Sequence, residues 1–156
     1  MKWKKDNIYA FSLVIIIIDQ VVKFFVRKNM HLFESISVIP SFFSLTYVEN
    51  KGAAWGILED ATILLVIISF VAFFSLLKFI QEEKKWNLLK VSAFSFILGG
   101  IVGNLVDRLF YHSVTDYLDF SIFGYDFPVF NFADIMIVFG AVFLIIEMIR
   151  GQKHVY

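Results

Sequence analysis

The chain has 156 residues, 59% hydrophobic and 19% aromatic, with a formal net charge of zero; a single domain of that length is too apolar to be water-soluble, so the membrane class follows. Zero net charge, with no basic patch interleaved with stacking aromatics, offers nucleic acid nothing to bind. No cysteine is present, which excludes disulfides, thiolate metal sites and a cysteine nucleophile.

Lys2, Lys4 and Lys5 precede an apolar run over residues 8–26. A basic start before an apolar segment also opens secretory signal peptides. This run is long enough to span a bilayer, holds Asp19 and Lys23, and has no small-residue cleavage site after it. It therefore reads as a retained transmembrane helix. Asp19 and Lys23 stand four apart with the acid first, the favourable order for a helical pair, and Lys23 is expected to snorkel outward with Arg27. Beyond the first span, Ser35-Ile36-Ser37-Val38 and Phe43-Ser44-Leu45-Thr46-Tyr47 alternate polar and apolar residues, as half-buried strands do. Val114, Leu118 and Phe120 alternate likewise. The expected product is a small sheet on the outer membrane surface, with an apolar face available to lipid or to an extended peptide. Asn50-Lys51-Gly52 signals a turn, and residues 53–58 suit a short interfacial helix.

A second span covers residues 61–80, uncharged as far as Lys78. A charged connection follows, with Trp86 as an interfacial anchor. The third span covers 88–106. The fourth covers 132–149, where Asp134 and Glu147 flank only twelve uncharged residues. Four spans place both termini on one side. Nine of the fourteen basic residues share that side: Lys2, Lys4, Lys5, Lys78, Lys84, Lys85, Lys90, Arg150 and Lys153. Arg27, Lys28, Lys51 and Arg108 lie opposite, so the positive-inside rule makes both termini cytoplasmic. The expected fold class is an all-α membrane protein of four transmembrane helices, with a small extracytoplasmic β-sheet and a short interfacial helix, in one domain.

The stretch 114–134 carries Asp116, Asp119, Asp126 and Asp134, no base, and lies between two apolar segments. A carboxylate beside hydrocarbon is costly unless hydrated, paired or protonated. Two brought together there share a proton, as the two acids of an aspartic peptidase do. Asp134 sits in the first turn of a helix that Asn131 caps, where the helix dipole favours the ionised form. Asp116, among apolar neighbours, is then the proton holder, although a coupled pair shares its titrations. Asp119, three residues on, points to the other face of its strand, and Asp126 follows a turn and is solvated. On pattern alone a plainer reading is the stronger, in which Asp134 merely caps its helix and Asp116 is a solvated loop acid.

Gly99, Gly100 and Gly103 are spaced for close helix packing, and Asn104, Asp107 and Arg108 could orient the acids. His31, His112 and His154 show no zinc-site spacing. Two functions of other classes stay open here. One is a proton-coupled transporter with Asp19, Asp107, Asp116 and Asp134 as its relay; the other is a structural membrane protein.

Five blocks occur in order among the spans. They are Asp19-Gln20 with Lys23; Asn50-Lys51-Gly52-Ala53-Ala54-Trp55-Gly56; Gly103-Asn104-Leu105-Val106-Asp107-Arg108; Val114-Thr115-Asp116-Tyr117; and Phe130-Asn131-Phe132-Ala133-Asp134. With these the chain resembles the bacterial lipoprotein signal peptidases (signal peptidase II) over nearly its whole length. The resemblance implies a membrane aspartic endopeptidase of the bacterial cytoplasmic (inner) membrane, monomeric and free of metal or cofactor, with an outward-facing site. Its partners would be membrane lipid and diacylglyceryl-modified prolipoproteins, cut immediately before the lipid-bearing cysteine. It makes Asp116 and Asp134 the catalytic pair and Asn50, Gly52, Asn104, Arg108 and Asn131, along with Asp19, Lys23 and Asp107, supporting or substrate-contacting residues. Val22 stands where the family often has Thr, Ile135 where it often has Ser, and Trp55 where Phe is more usual.

Overall fold

The computed structural model describes residues 3–52 and 62–152. Its helices are α1 (Lys5–Asn29), α2 (Thr62–Glu82), α3 (Leu88–Tyr111) and α4 (Phe132–Gln152). All four are long and apolar enough to cross a membrane. Even the shortest, at 21 residues, reaches roughly 30 Å at about 1.5 Å per residue, the thickness of a bilayer's hydrocarbon core. Each overruns the apolar run that announces it, because helical hydrogen bonding continues into the polar ends. The outward sides are apolar, with Leu13, Ile17, Val21 and Phe24 of α1 and Ile67, Val71 and Phe74 of α2 all exposed. In water such surfaces would be a liability; here they are the lipid face.

The central helix is α3, which packs against the other three. Its small residues set the distances. A methyl group at Gly99 would come within 2.7 Å of Ile15 of α1, and one at Gly100 within 2.5 Å of the Ala133 carbonyl oxygen of α4. That second contact is with backbone, which cannot yield, so α3 and α4 can lie this close only over a glycine. At the end of the molecule bearing the α2–α3 connection, Ile8, Ile80, Val91, Phe94 and Leu98 form a core cluster. Trp86 joins it edge-on to Phe94 at 5.6 Å, so the expected interfacial anchor is also a packing residue.

The strands β1 (Ser35–Ile39), β2 (Phe43–Asn50), β3 (Val114–Ile122) and β4 (Tyr125–Asp126) form one antiparallel sheet in sequence order. Tyr47 and Tyr117 pack with Val26 near the end of α1 and with Phe132 at the start of α4, which docks the sheet on the helix ends. Simple alternation does not describe β3. Its first four residues are all buried, because the base of the strand has protein on both faces. β2 carries a bulge: Leu45 faces Leu118, yet Val48 faces Asp116, so one extra residue is accommodated on β2. A bulge re-aims the side chains beyond it, here Val48 to Asn50. The interfacial helix expected over residues 53–58 lies outside the described residues.

Candidate active site

Asp116 enters the site from β3 and Asp134 from the first turn of α4. Asn131 caps that turn: its side-chain oxygen accepts from the Asp134 amide (3.0 Å), and the Asp134 carboxylate accepts from the Asn131 amide (3.1 Å). This reciprocal pair is a capping box, and it fixes the rotamer of Asp134. Asp116 and Asp134 line one cavity of about 390 Å³, together with Asn50, Gly52, Asn104 and Arg108. Its other walls are apolar except at Ser69 of α2, and come from Ile101 of α3, Ile137 and Val138 of α4, Val114 and the segment Pro128 to Phe130.

Three asparagines aim donors at the two acids, and each is oriented by what its own carbonyl oxygen accepts. Asn50 accepts from the Gly52 amide (3.0 Å), which leaves its Nδ2 to bond Asp116 at 2.8 Å. Asn131, its oxygen taken by the Asp134 amide, donates to Asp116 at 2.6 Å. Asn104 accepts from Lys23 Nζ (2.9 Å) and from Asn131 (3.2 Å), so its Nδ2 is left for Asp134 at 2.7 Å. Asp116 and Asp134 are thus joined through Asn131 and Asn104. Asp116 is only 2% exposed. Burial, and then the neighbouring Asp134 carboxylate, push its pKa up to about 7 from an ordinary 3.8, against the Asn50 and Asn131 hydrogen bonds and the charge of Lys23, which pull it down. The solvated-loop reading of Asp116 is therefore set aside.

Behind the asparagines lies a buried ionic network. Lys23 does not snorkel. Its side chain is fully buried and turned inward, between Asp19 (2.9 Å) and Asp107 (3.2 Å), with Asn104 as its third partner. Three oxygens at bonding distance hold the ammonium more firmly than a reach past the helix end would. Asp19 also accepts from the Ala133 amide of α4 (3.1 Å), and Gly103 makes room for that carboxylate, since a methyl there would meet it at 2.6 Å. Asp107 accepts from the Thr115 amide at the base of β3 (2.9 Å). One network therefore ties α1, α3, α4 and β3 together. Among the described residues no buried side-chain nitrogen or oxygen lacks a hydrogen-bond partner.

Arg108 lines the cavity and bonds its own helix only loosely, to the Asn104 carbonyl at 3.5 Å. Asp119 accepts from the Thr46 hydroxyl (2.6 Å), and Asp126 is exposed; neither lines the cavity. Sequence reasoning missed Gln20, which donates to Asp19, to Asp107 and to the Gly103 carbonyl. It also missed Arg27, which donates to Thr115 at 2.8 Å, approaches Asp107 at 3.4 Å and lies 4.1 Å from the centre of the Tyr111 ring. The available signal was spacing: Asp19, Lys23 and Arg27 recur every four residues, a polar stripe on one side of α1.

These features define a class: a four-span membrane protein that carries two hydrogen-bonded acids in a partly apolar cavity where its helices meet a surface sheet. The signal peptidase (SPase) II family model matches residues 11–150, and the chain belongs to that family. It is 41% identical over 142 residues to the lipoprotein signal peptidase of Staphylococcus haemolyticus, covering 91% of this chain and 90% of that one. It is 42% identical over 149 residues to that of Maridesulfovibrio salexigens, covering 90% and 94%. A solved structure of a bacterial membrane enzyme is 33% identical and superposes with a TM-score of 0.90 over 99% of this chain and 94% of that chain. The transporter reading finds no support, and its relay is consumed structurally, with Asp19 and Asp107 both locked on buried Lys23.

Proposed function

We propose that this protein is an aspartic endopeptidase that removes signal peptides from diacylglyceryl-modified prolipoproteins, cutting immediately before the lipid-bearing cysteine. Family membership supports the substrate class. The observation that supports the mechanism is the placement of Asp116 and Asp134 on one cavity with asparagine donors aimed at both. Ionised Asp134 takes a proton from a water molecule as that water attacks the scissile carbonyl carbon. Protonated Asp116 donates a hydrogen bond to the carbonyl oxygen as negative charge develops there. Collapse of the tetrahedral intermediate breaks the C–N bond, and a carboxyl proton passes to the leaving amine. The substrate's acyl chains remain in the bilayer beside the helices, which places the scissile bond at the depth of the acids. Ile135 costs little in this scheme, because Asn104 and the Asn131 amide already hold Asp134.

The test is cleavage by purified protein of a diacylated prolipoprotein and of its unlipidated form. Only the lipidated form should be cut, with the modified cysteine as the new N-terminus. Failure of folded protein to cut either one would overturn the reading.

The pH dependence has a definite sign. The mechanism needs one proton on the pair, and Asp116 releases its proton near 7. The kcat/KM should therefore fall as pH rises through about 7; a profile still climbing well above that would place the working proton elsewhere. Stability shifts in the same sense. With the folded pKa above the unfolded value, the native state keeps a proton that the unfolded chain has released, so this group's contribution declines from about 3.8 up to about 7.

The distribution of basic residues supports cytoplasmic termini and an extracytoplasmic site. Topology reporters placed after Lys84 and after Tyr156 should read cytoplasmic, and one inserted near Asp119 external. A cytoplasmic signal at Asp119 would put the acids on the wrong side for a secreted precursor.

A further inference from the structure

The β3–β4 hairpin ends in Phe123-Gly124, both at positive φ, 53° and 80°. Hairpins favour Asn or Asp before Gly in such a turn, since a bulky side chain is costly in the left-handed region. Here phenylalanine takes that position and its ring is fully exposed. Ile122, Tyr125 and Phe127 beside it are 36%, 53% and 40% exposed. Ile122 faces Tyr125 across the hairpin while Ser121 faces Asp126. One face of the hairpin therefore carries Phe120, Ile122, Tyr125 and Phe127, and the other Asp119, Ser121 and Asp126. Facing water, the first of these would be an aggregation liability.

Two observations indicate what covers it. The sheet is docked on the ends of α1 and α4 through Val26, Tyr47, Tyr117 and Phe132, so the base of the strand that leads to the hairpin stands at the level where the spans leave the hydrocarbon. Its apolar face also begins at the cavity. Phe120 stacks on Phe130 at 5.7 Å, and Phe130 lines the cavity wall. An aromatic strip thus runs from the cavity mouth to the hairpin tip, continuous with a cavity wall that the spans α3 and α4 also form.

We infer that this hairpin is a membrane wedge. Ile122, Phe123, Tyr125 and Phe127 enter the headgroup–acyl boundary of the leaflet on the sheet's side, and Ser121 and Asp126 stay hydrated. Asp116 lies near the other end of β3, so the wedge sets the depth of the strand that carries it. The inference does not depend on the peptidase reading, and its test uses no substrate.

The chain has no cysteine, so a single nitroxide label can be placed at will. In phospholipid nanodiscs, Phe123→Cys and Phe127→Cys are labelled. They are compared with Phe74→Cys, on the lipid-facing side of α2, and with Lys84→Cys, in the exposed α2–α3 connection. Oxygen should relax the labels at 123 and 127 more than a water-soluble nickel chelate does, as at 74, with the reverse at 84. Labels at both positions that behave like the one at 84 would overturn the wedge. Labels there shielded from both reagents would overturn it too, because protein would then cover the tip. Dipolar broadening that grows with protein loading would overturn it in favour of self-association.

Discussion

Asp116→Asn and Asp134→Asn are each expected to abolish cleavage, with a loss of about 10⁴-fold, the scale seen when one member of a catalytic unit is removed. Asparagine keeps the size but only one of the two acceptor oxygens, and it cannot take up or release the proton the mechanism passes between water, carbonyl and amine. Asp116 accepts hydrogen bonds from both Asn50 and Asn131, so its replacement sets an amide NH2 against one of these donors and leaves no proton to give. Asp134 accepts from Asn104 and from the Asn131 amide, and its replacement leaves no base for the water. The double variant should be little worse than either single one, because the acids work as a unit. Asp119→Asn and Asp126→Asn should retain most activity: the first acid bonds Thr46 on the sheet, and the second is exposed. Initial rates on a diacylated substrate, with insertion and folding verified for each variant, decide the matter. Full activity in Asp116→Asn would sink the assignment outright.

The second large effect is on stability. Lys23→Met keeps the reach of the side chain but removes the cation that Asp19 and Asp107 share at 2.9 and 3.2 Å, all three groups being fully buried. Breaking a buried ion pair from one side costs about 3–5 kcal/mol, because the abandoned charge cannot return to water. Here two carboxylates are abandoned together, and Arg27 reaches only Asp107, at 3.4 Å. The melting temperature in detergent should drop sharply and the amount of folded protein in membranes should fall. Adding Asp107→Asn should recover part of the loss, since one buried charge is then removed along with its partner. Activity should suffer beyond the stability loss, because without Lys23 the Asn104 amide is free to turn and withdraw its donor from Asp134. Lys23→Met with an unchanged melting temperature would show that the network is neutral to stability.

The sequence alone determined a good deal. Apolar runs of bilayer length specify four spans whatever surrounds them, because no other backbone arrangement open to so apolar a run satisfies its hydrogen bonds in lipid. Asn131 and Asp134, three apart at the head of such a run, specify a capped helix start by local chemistry, and the alternation at Ser35 to Val38 and Phe43 to Tyr47 specifies strands. Five ordered blocks carried the family.

What only the tertiary structure decided depends on groups distant in sequence. Lys23 read as a snorkelling residue because helical periodicity says which side of α1 it occupies, not what that side meets; it meets Asp107 and Asn104, more than eighty residues away. The burial of Asp116 on both faces of its strand, and so its raised pKa, likewise comes from packing between helices. Which groups Arg27 and Gln20 meet was hidden for the same reason, although the four-residue spacing marks the side of α1 that Arg27 shares. Local sequence dictates element type through backbone hydrogen bonding and periodicity. Protonation and charge pairing are set by the electrostatics of the neighbours that assembly brings, and no single stretch of the chain contains them.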